Sequence, residues 1–532
     1  MTRSTWAQWG DINAFFGLIL DNVAVMIALV VLLTSGAPGF SREFVLTQMI
    51  PGTALGVVLG DLAYTWMAVR LARRTGRPDV TAMPLGLDTP STFVVGPLVL
   101  LPALGQGMTR YGLSHEQAMV FAWHVGAVLL VLVGIFKSLL APLGGQVRRW
   151  VPRAGLLGSL AGVALALIAF LPLWTHVAAV PVVGLVSLTV ILVALVARRK
   201  LPFRVPGALA AVILGMAVWS AGGYLGGKLG IAVVPPSAAT AVSAWRAPDL
   251  LPECARNWLW WQHVLRHALA SLPILLPFAL ATIVGGIDCT ESAAAAGDTY
   301  DTRTILLTEG LATVAAGACG GVIQNTPYIG QPAYKAMGGR AAYTLATAVF
   351  IGAAGGLGWF THLFQWLPEA ATFPLLIFIG LEITAQAFRA TPERHFPAVA
   401  LAMLPTLAYM ALVPMEQALA GRAPDAGAAV VVQSLRCLAS GFIVSGLLWA
   451  SALAAMLDEK LVRAAAYLGV AGACSLLGII HSPLEPALIA LPATVVARMA
   501  PAAAIRCQSP FHWAAAYGLA AAVLLLLALW RK

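Results

Sequence analysis

Apolar runs of about 20 residues, each enough to cross about 30 Å of hydrocarbon, recur from Ala14 to Trp530 with only short gaps. A chain built this way cannot fold around one aqueous core. It reads as an all-α polytopic membrane protein, with no stretch left over for a soluble domain. Of its 532 residues 60% are apolar and 10% charged, against roughly 25% charged in an average soluble domain. The first run is interrupted by Asp21 and Asn22, unlike a cleavable signal peptide, and is taken as the first span.

Breaks at Gly, Pro and charge divide the chain into two series of seven spans. Residues 1–225 form the first series and 271–457 the second; an extracytoplasmic loop, 226–270, rich in Trp and His, separates them. Two additional spans are expected within 458–532, making sixteen. The net charge of +10 is carried by loops such as "RLARRTGRPD" and "ARRKLPFRV" rather than by a basic stripe, so no nucleic acid is expected as a partner. Those loops fall inside if the N-terminus is cytoplasmic. An even number of spans then places both termini in the cytoplasm, with the chain in the inner (plasma) membrane.

Two segments cannot be continuous lipid-facing helices. "TAMPLGLDTPSTFVVGP", Thr81 to Pro97, holds three prolines and two glycines, and "GGVIQNTPYIGQPAYKAMGG", Gly320 to Gly339, holds two prolines and five glycines. Proline removes an amide donor and frees carbonyls that must find partners inside the membrane. Both lie in the third span of their series and share a core, Asp88-Thr89-Pro90 and Asn325-Thr326-Pro327. An odd number of spans per series inverts the second, so the pattern predicts an inverted repeat with interrupted helices at a midplane binding site.

The stretch "GGIDCTESAAAAGD", Gly285 to Asp298, opens the second series and puts Asp288 and Glu291 three residues apart on one helix face. A carboxylate at mid-membrane costs about 2.5 to 3.5 kcal/mol on insertion scales, which argues for use in binding substrate or proton. The counterpart in the first span is Asp21 and Asn22. The candidate substrate- and proton-binding set is Asp288, Glu291, Asp88, Thr89, Ser91, Asn325, Thr326, Tyr328, Gln331, Asp21 and Asn22. By contrast Asp298, Asp301 and Glu309, flanking the next loop, read as solvated or helix-capping residues. His124 and His362 read as packing or interface residues, and the six cysteines show no zinc spacing. Cys254 and Cys507 both fall in outer loops, where a disulfide is open to them.

The phrases "PFALATI", "EGLATVAAG" and "NTPY" resemble the nucleobase:cation symporters, the xanthine/uracil permease and nucleobase–ascorbate transporter superfamily, over roughly residues 10–457. The "IDCTES" stretch is similar to the adenine/guanine/hypoxanthine permease branch. The resemblance implies fourteen spans as two inverted repeats, a core of spans 1–4 and 8–11, a gate of spans 5–7 and 12–14, and short strands in spans 3 and 10 near the substrate. This chain departs from the pattern with Gly285 in place of a substrate-binding Glu, Asp21-Asn22 in place of a Gln-His pair, and Gly330 or Gln331 in place of an acid.

These readings predict a permease, not an enzyme, importing a small polar heterocycle such as a purine or pyrimidine, coupled to a proton or other cation, without a cofactor. The alternative is an anion transporter of the sulfate-permease type on the same fold, taking sulfate, bicarbonate or a carboxylate. Its disfavouring feature is that the central polar positions are acidic or neutral, whereas anions favour helix N-termini and basic residues. Partners are a small-molecule substrate, the coupling ion and the bilayer; the oligomeric state stays open, a homodimer included.

Overall fold

A computed structural model describes residues 6–34, 39–143, 152–197, 199, 201–202, 205, 207–229, 234–235, 247–328, 330–360, 362, 368–419, 426–483, 492–498 and 508–530. The helices are α1 (Gly10–Thr34), α2 (Arg42–Thr75), α3 (Thr89–Tyr111), α4 (His115–Leu143), α5 (Arg153–Val177), α6 (Pro181–Val196) and α7 (Gly207–Leu229). There follow α8 (Trp258–Ala295), α9 (Thr302–Ala318), α10 (Gln331–Ala336), α11 (Ala342–Gly356), α12 (Glu369–Arg389) and α13 (Phe396–Leu419). The chain ends with α14 (Ala426–Ala439), α15 (Phe442–Leu457), α16 (Leu461–Leu476), α17 (Pro492–Arg498) and α18 (Pro510–Trp530). Two strands, β1 (Leu85–Leu87) and β2 (Asn325–Pro327), precede α3 and α10.

Ten of the described helices are long and apolar enough to cross a membrane; α14 and α15 make one further span bent by 64°, and α6, α11 and α16 are shorter apolar helices. Span 9 is α9, and span 10 is the broken β2–α10. The protein is therefore an all-α polytopic membrane protein of two inverted seven-span repeats with two C-terminal spans added, and spans 3 and 10 are interrupted by strands. Helix α8 begins at Trp258, so part of the segment expected as outer loop is helical, started by Asn257, whose side chain caps the Leu259 amide at 2.9 Å.

The repeat shows in the packing. Span 2 lies on span 11 and span 9 on span 4, pairs exchanged by the operation that carries the first series onto the second. Spans 2 and 9, each other's counterparts, also touch, and β1 pairs antiparallel with β2 in the register Leu85↔Pro327, Gly86↔Thr326, Leu87↔Asn325. This register corrects the expected equivalence of the two tripeptides. Asn325-Thr326-Pro327 is itself the strand, whereas Asp88-Thr89-Pro90 follows its strand and starts a helix.

Contacts divide the chain into two compact units. One comprises residues 1–145, 170–269 and 279–378 and holds both strands; the other comprises 146–169, 270–278 and 379–532. In the first, a glycine ladder on α2 lets backbones meet. A Cβ on Gly52 would overlap the Cys319 carbonyl and the Gly321 amide, one on Gly56 the Asn325 amide and Ala316, and one on Gly60 the Leu85 side chain. Residues spaced by four share a helix face, so one face of span 2 carries the end of span 9 and both strands.

In the second unit the added spans are built in. Helix α16 packs on α15 and α18, and His481 accepts or donates at 2.9 Å to the Cys437 carbonyl and 2.7 Å to the Tyr517 hydroxyl while stacking on Trp513.

Candidate functional site

A two-stranded ladder inside a membrane must satisfy its outward backbone groups with side chains, since no water is there to do so. Asp88 N–H donates to Gln324 O and Tyr328 N–H to Pro84 O, both at 2.9 Å. Antiparallel bonding alternates, so Gly86 and Thr326 face each other while Leu85, Leu87, Asn325 and Pro327 point their backbone groups outward. Each finds a partner on a different span. The Leu85 amide donates to Asp61 Oδ1 on α2 at 3.1 Å, and the Leu87 amide to Asn22 Oδ1 on α1 at 3.0 Å. The Asn325 amide donates to Thr313 Oγ1 on α9 at 3.2 Å, and its carbonyl accepts from Lys137 Nζ on α4 at 2.8 Å. Pro327 occupies the remaining outward position, where having no N–H costs nothing.

Past β1, Asp88 is the N-cap of α3: its Oδ2 accepts from the Ser91 amide at 3.0 Å, and Ser91 Oγ donates back to the Asp88 carbonyl at 3.2 Å. The same Oδ2 accepts from Gln324 Nε2 at 2.9 Å, so the opposite repeat reaches the cap. Gln324 Oε1 lies 3.5 Å from Lys137 Nζ, and Lys137 forms an ion pair with Glu309. A buried polar chain thus runs Glu309, Lys137, Gln324, Asp88, through spans 9, 4, 10 and 3.

The structure brings Asp88, Thr89, Ser91, Asn22, Asn325, Thr326 and Tyr328 together at this crossing. Tyr328 lays its ring where a Cβ of Gly86 would be, and its hydroxyl donates to the Leu87 carbonyl at 2.9 Å. Thr326 and Tyr328 are half-buried, and Asp21 on α1, in electrostatic contact with Tyr328, is half-buried too. Asn325 turns its side chain against Gly56 and away from that face. On α8, Cys289 donates to the Pro327 carbonyl at 3.4 Å, which sets the helix against β2; Asp288 beside it is half-buried, and Glu291 is exposed. Gly285, one turn before Asp288, faces open space.

Gln331 sits elsewhere. It donates to Asp298 Oδ2 at 2.8 Å and to the Thr81 carbonyl at 3.2 Å. Asp298 is fully buried and ion-paired to Lys335 at 2.7 Å and Arg77 at 3.3 Å. This corrects the reading of Asp298 as solvated: its loop folds back under the start of span 3, where it also accepts from the Thr81 amide. Glu309 is corrected likewise, being 0% exposed and paired. Asp301 does cap α9, accepting from the Thr304 amide at 3.0 Å. His124 is a packing residue, accepting from Trp260 Nε1 at 3.0 Å, and His362 is exposed. Cys507 lies outside the described residues, and with it the question of a pair with Cys254.

Sequence reasoning missed Lys137, Asp61, Glu309 and Gln324. The signal was present in the first three, ionisable residues within predicted spans, which mark function by default. No group of three or more metal-ligating side chains occurs among the described residues.

No protein-family model matches the chain, and no curated protein matches it either. Among solved structures it is similar to the transmembrane domain of a cyanobacterium bicarbonate transporter, BicA, with 15% identity over 78% of this chain and 97% of that one, at a TM-score of 0.47. It is similar to SLC26A9 with 13% identity over 77% and 65% of the two chains, at 0.49. A third likeness, to the murine Solute Carrier 26 family member A9 anion transporter in the inward-facing state, has 14% identity over 73% and 71%, at 0.39. One of these is named as a bicarbonate transporter and another as an anion transporter, none as a nucleobase symporter, and the assignment to that superfamily is corrected on this finding.

Proposed function

We propose that the chain is a proton-coupled secondary transporter of a small anion, such as bicarbonate, sulfate or a short carboxylate. The observation that supports this most is the start of α3: a helix N-terminus held at mid-membrane, where its partial positive charge favours an anion, beside the half-open Thr326 and Tyr328. The solved anion transporters that the chain is similar to agree with that choice.

Charge decides the coupling. Around the crossing the spans carry Asp21, Asp61, Asp88, Asp288 and Glu309 against Lys137. An anion entering such a field is repelled unless positive charge enters with it, which a co-transported proton supplies. Asp88 caps the helix end that the anion would use, so the cap and the anion meet at the same amides. In this reading Asp88, Thr89, Ser91, Thr326 and Tyr328 form the substrate site, Asn22, Gln324 and Lys137 position it, and Asp21 and Asp288 are acidic neighbours.

The test is uptake into proteoliposomes of labelled bicarbonate, sulfate and formate, with uracil and adenine alongside, under imposed pH gradients of both signs. Uptake of at least one anion, faster with acid outside and lost in Asp88→Asn, is the expected result. Movement of a neutral base with no anion, or anion uptake indifferent to pH, would overturn the proposal.

A further inference from the structure

Four buried carboxylates of the first unit are compensated. Glu309 has Lys137, Asp298 has Lys335 and Arg77, and Asp88 has a helix N-terminus and Gln324. Asp11 takes the amides of Gln8, Arg340 and Tyr343. Asp61 differs. It is 0% exposed, its Oδ1 accepts from the Leu85 amide, and its Oδ2 is buried with no hydrogen-bond partner among the described residues. Among the described residues no Lys, Arg or His forms an ion pair with it. It lies about 14 Å along α2 from Arg70 at 1.5 Å per residue, well inside the membrane.

The groups around it are phenols and one remote acid. Tyr64 of its own helix, Tyr328 after β2, Tyr334 of α10 and Tyr343 of α11 all interact electrostatically with it, and Tyr64 also senses Glu309 of α9. None supplies a positive charge, and the phenols Tyr64, Tyr328 and Tyr343 are already donating, to the carbonyls of Ile305, Leu87 and Ala82. An ionised carboxylate with one amide donor is far too costly in such a place. A protonated one is neutral and still accepts from Leu85.

We propose that Asp61 is a proton-binding site of this protein, its Oδ2 holding the coupling proton in the state described here, with Oδ1 transmitting its occupancy to β1. Under the internal two-fold Leu85 corresponds to Asn325, so Asp61 corresponds to Thr313, which caps the Asn325 amide with a hydroxyl that does not titrate in this range. The two strands are therefore held alike, but one end alone responds to a proton. Deprotonation leaves a bare carboxylate that must draw in water or a cation, and the group that moves with it is the strand bearing Gly86 opposite Thr326. This inference rests on the proton-coupled reading above.

The experiment has two arms. Infrared difference spectra of the purified protein between alkaline and acidic pH report carboxyl protonation without any transported solute. Asp61→Asn should remove one protonated-carboxyl band while keeping the acceptor for Leu85. In proteoliposomes Asp61→Asn should lose uphill accumulation of the probe anion driven by a pH gradient yet keep its exchange across the membrane, and Asp61→Glu should restore part of the accumulation. Unchanged spectra, accumulation intact in Asp61→Asn, or loss of exchange and accumulation together with no recovery in Asp61→Glu would each overturn the assignment. Should the wild type move none of the probes, the transport reading fails, and the infrared arm alone still decides whether Asp61 takes up a proton.

Discussion

Lys137 on span 4 and Glu309 on span 9 form an ion pair in which neither side chain is exposed. Breaking a buried pair leaves an uncompensated charge and costs about 3–5 kcal/mol, whereas replacing both partners is often close to neutral. Lys137→Met and Glu309→Leu should therefore each destabilise the protein strongly, and the double variant less than either. Thermal unfolding in detergent, followed by the four corners of this cycle, checks it; additive losses would mean that the pair is not coupled. Lys137→Met should be the worse single change, because it also strips the Asn325 carbonyl of its donor.

The glycine ladder of span 2 gives a second expectation. Gly52→Ala sets a methyl against the backbone at Cys319 and Gly321, where no side-chain rotation relieves it, and overpacking of this kind costs typically 1–3 kcal/mol. Gly285→Ala, with nothing near the new methyl, should be neutral in stability. A comparison of their melting temperatures separates the two, and an equal effect would argue against the close approach of spans 2 and 9.

The cap on span 9 offers a milder contrast. Loss of an N-cap acceptor typically costs about 1 kcal/mol, so Asp301→Ala should lower stability by that order and leave the transport rate within a few-fold of wild type. An abolished rate in a folded Asp301→Ala protein would place this residue in the transport machinery after all.

A pH dependence belongs to the loop that follows span 2. The hydrogen bond from Arg77, at 2.7 Å, holds the Asp79 carboxyl below its ordinary value of 3.8. A carboxyl depressed on folding adds stability above its unfolded pKa and forfeits it as pH falls through the folded value. Asp79→Asn should flatten the stability profile at the acid end, below the ordinary aspartate range, and leave it unchanged at neutral pH apart from a small offset, since the pair is partly exposed. A profile of the same shape in both proteins would refute this.

Much of the architecture was legible because it follows from length and punctuation. Twenty-residue apolar runs give spans, and the prolines at Pro84, Pro90, Pro327 and Pro332 break spans 3 and 10, where the strands indeed lie. The site was legible in part. Asp88 and Thr326 stand out as polar residues at a helix break, but Lys137 and Glu309 are 172 residues apart, and only tertiary packing shows that one neutralises the other. Glu309 looked solvated because a loop of Gly, Asp and Thr precedes it. The strand register escaped for a different reason: a matched tripeptide suggests equivalence, whereas the ladder is set by which amides need partners, and Pro327 needs none.

Sidedness provides a further check. The Trp6 carbonyl accepts from Ala341, Asp11 binds the Arg340 amide, and Arg77 pairs with Asp298. The N-terminal segment and the loops after spans 2, 8 and 10 must therefore lie on one side of the membrane, and their basic residues favour the cytoplasm. Reporter fusions after Arg74 and after Gly339 should give the same cytoplasmic signal; opposite signals would contradict the packing of this end.

The ladder of β1 and β2 also constrains how the chain is made. Synthesis at about 5–20 residues per second separates the emergence of Leu87 from that of Asn325 by on the order of ten to fifty seconds. Over that interval β1 has no partner strand, and Asn22 and Asp61, both already translated, can hold only its outer amides. The inner amide and carbonyl of Gly86 must wait in contact with water or with the insertion machinery. When β2 arrives, Thr313 and Lys137 are in place to receive it. The nascent first half is thus an open-edged intermediate whose closing segment lies in the second half, which makes the handover from ribosome to membrane the stage at which this chain is most exposed to mispairing.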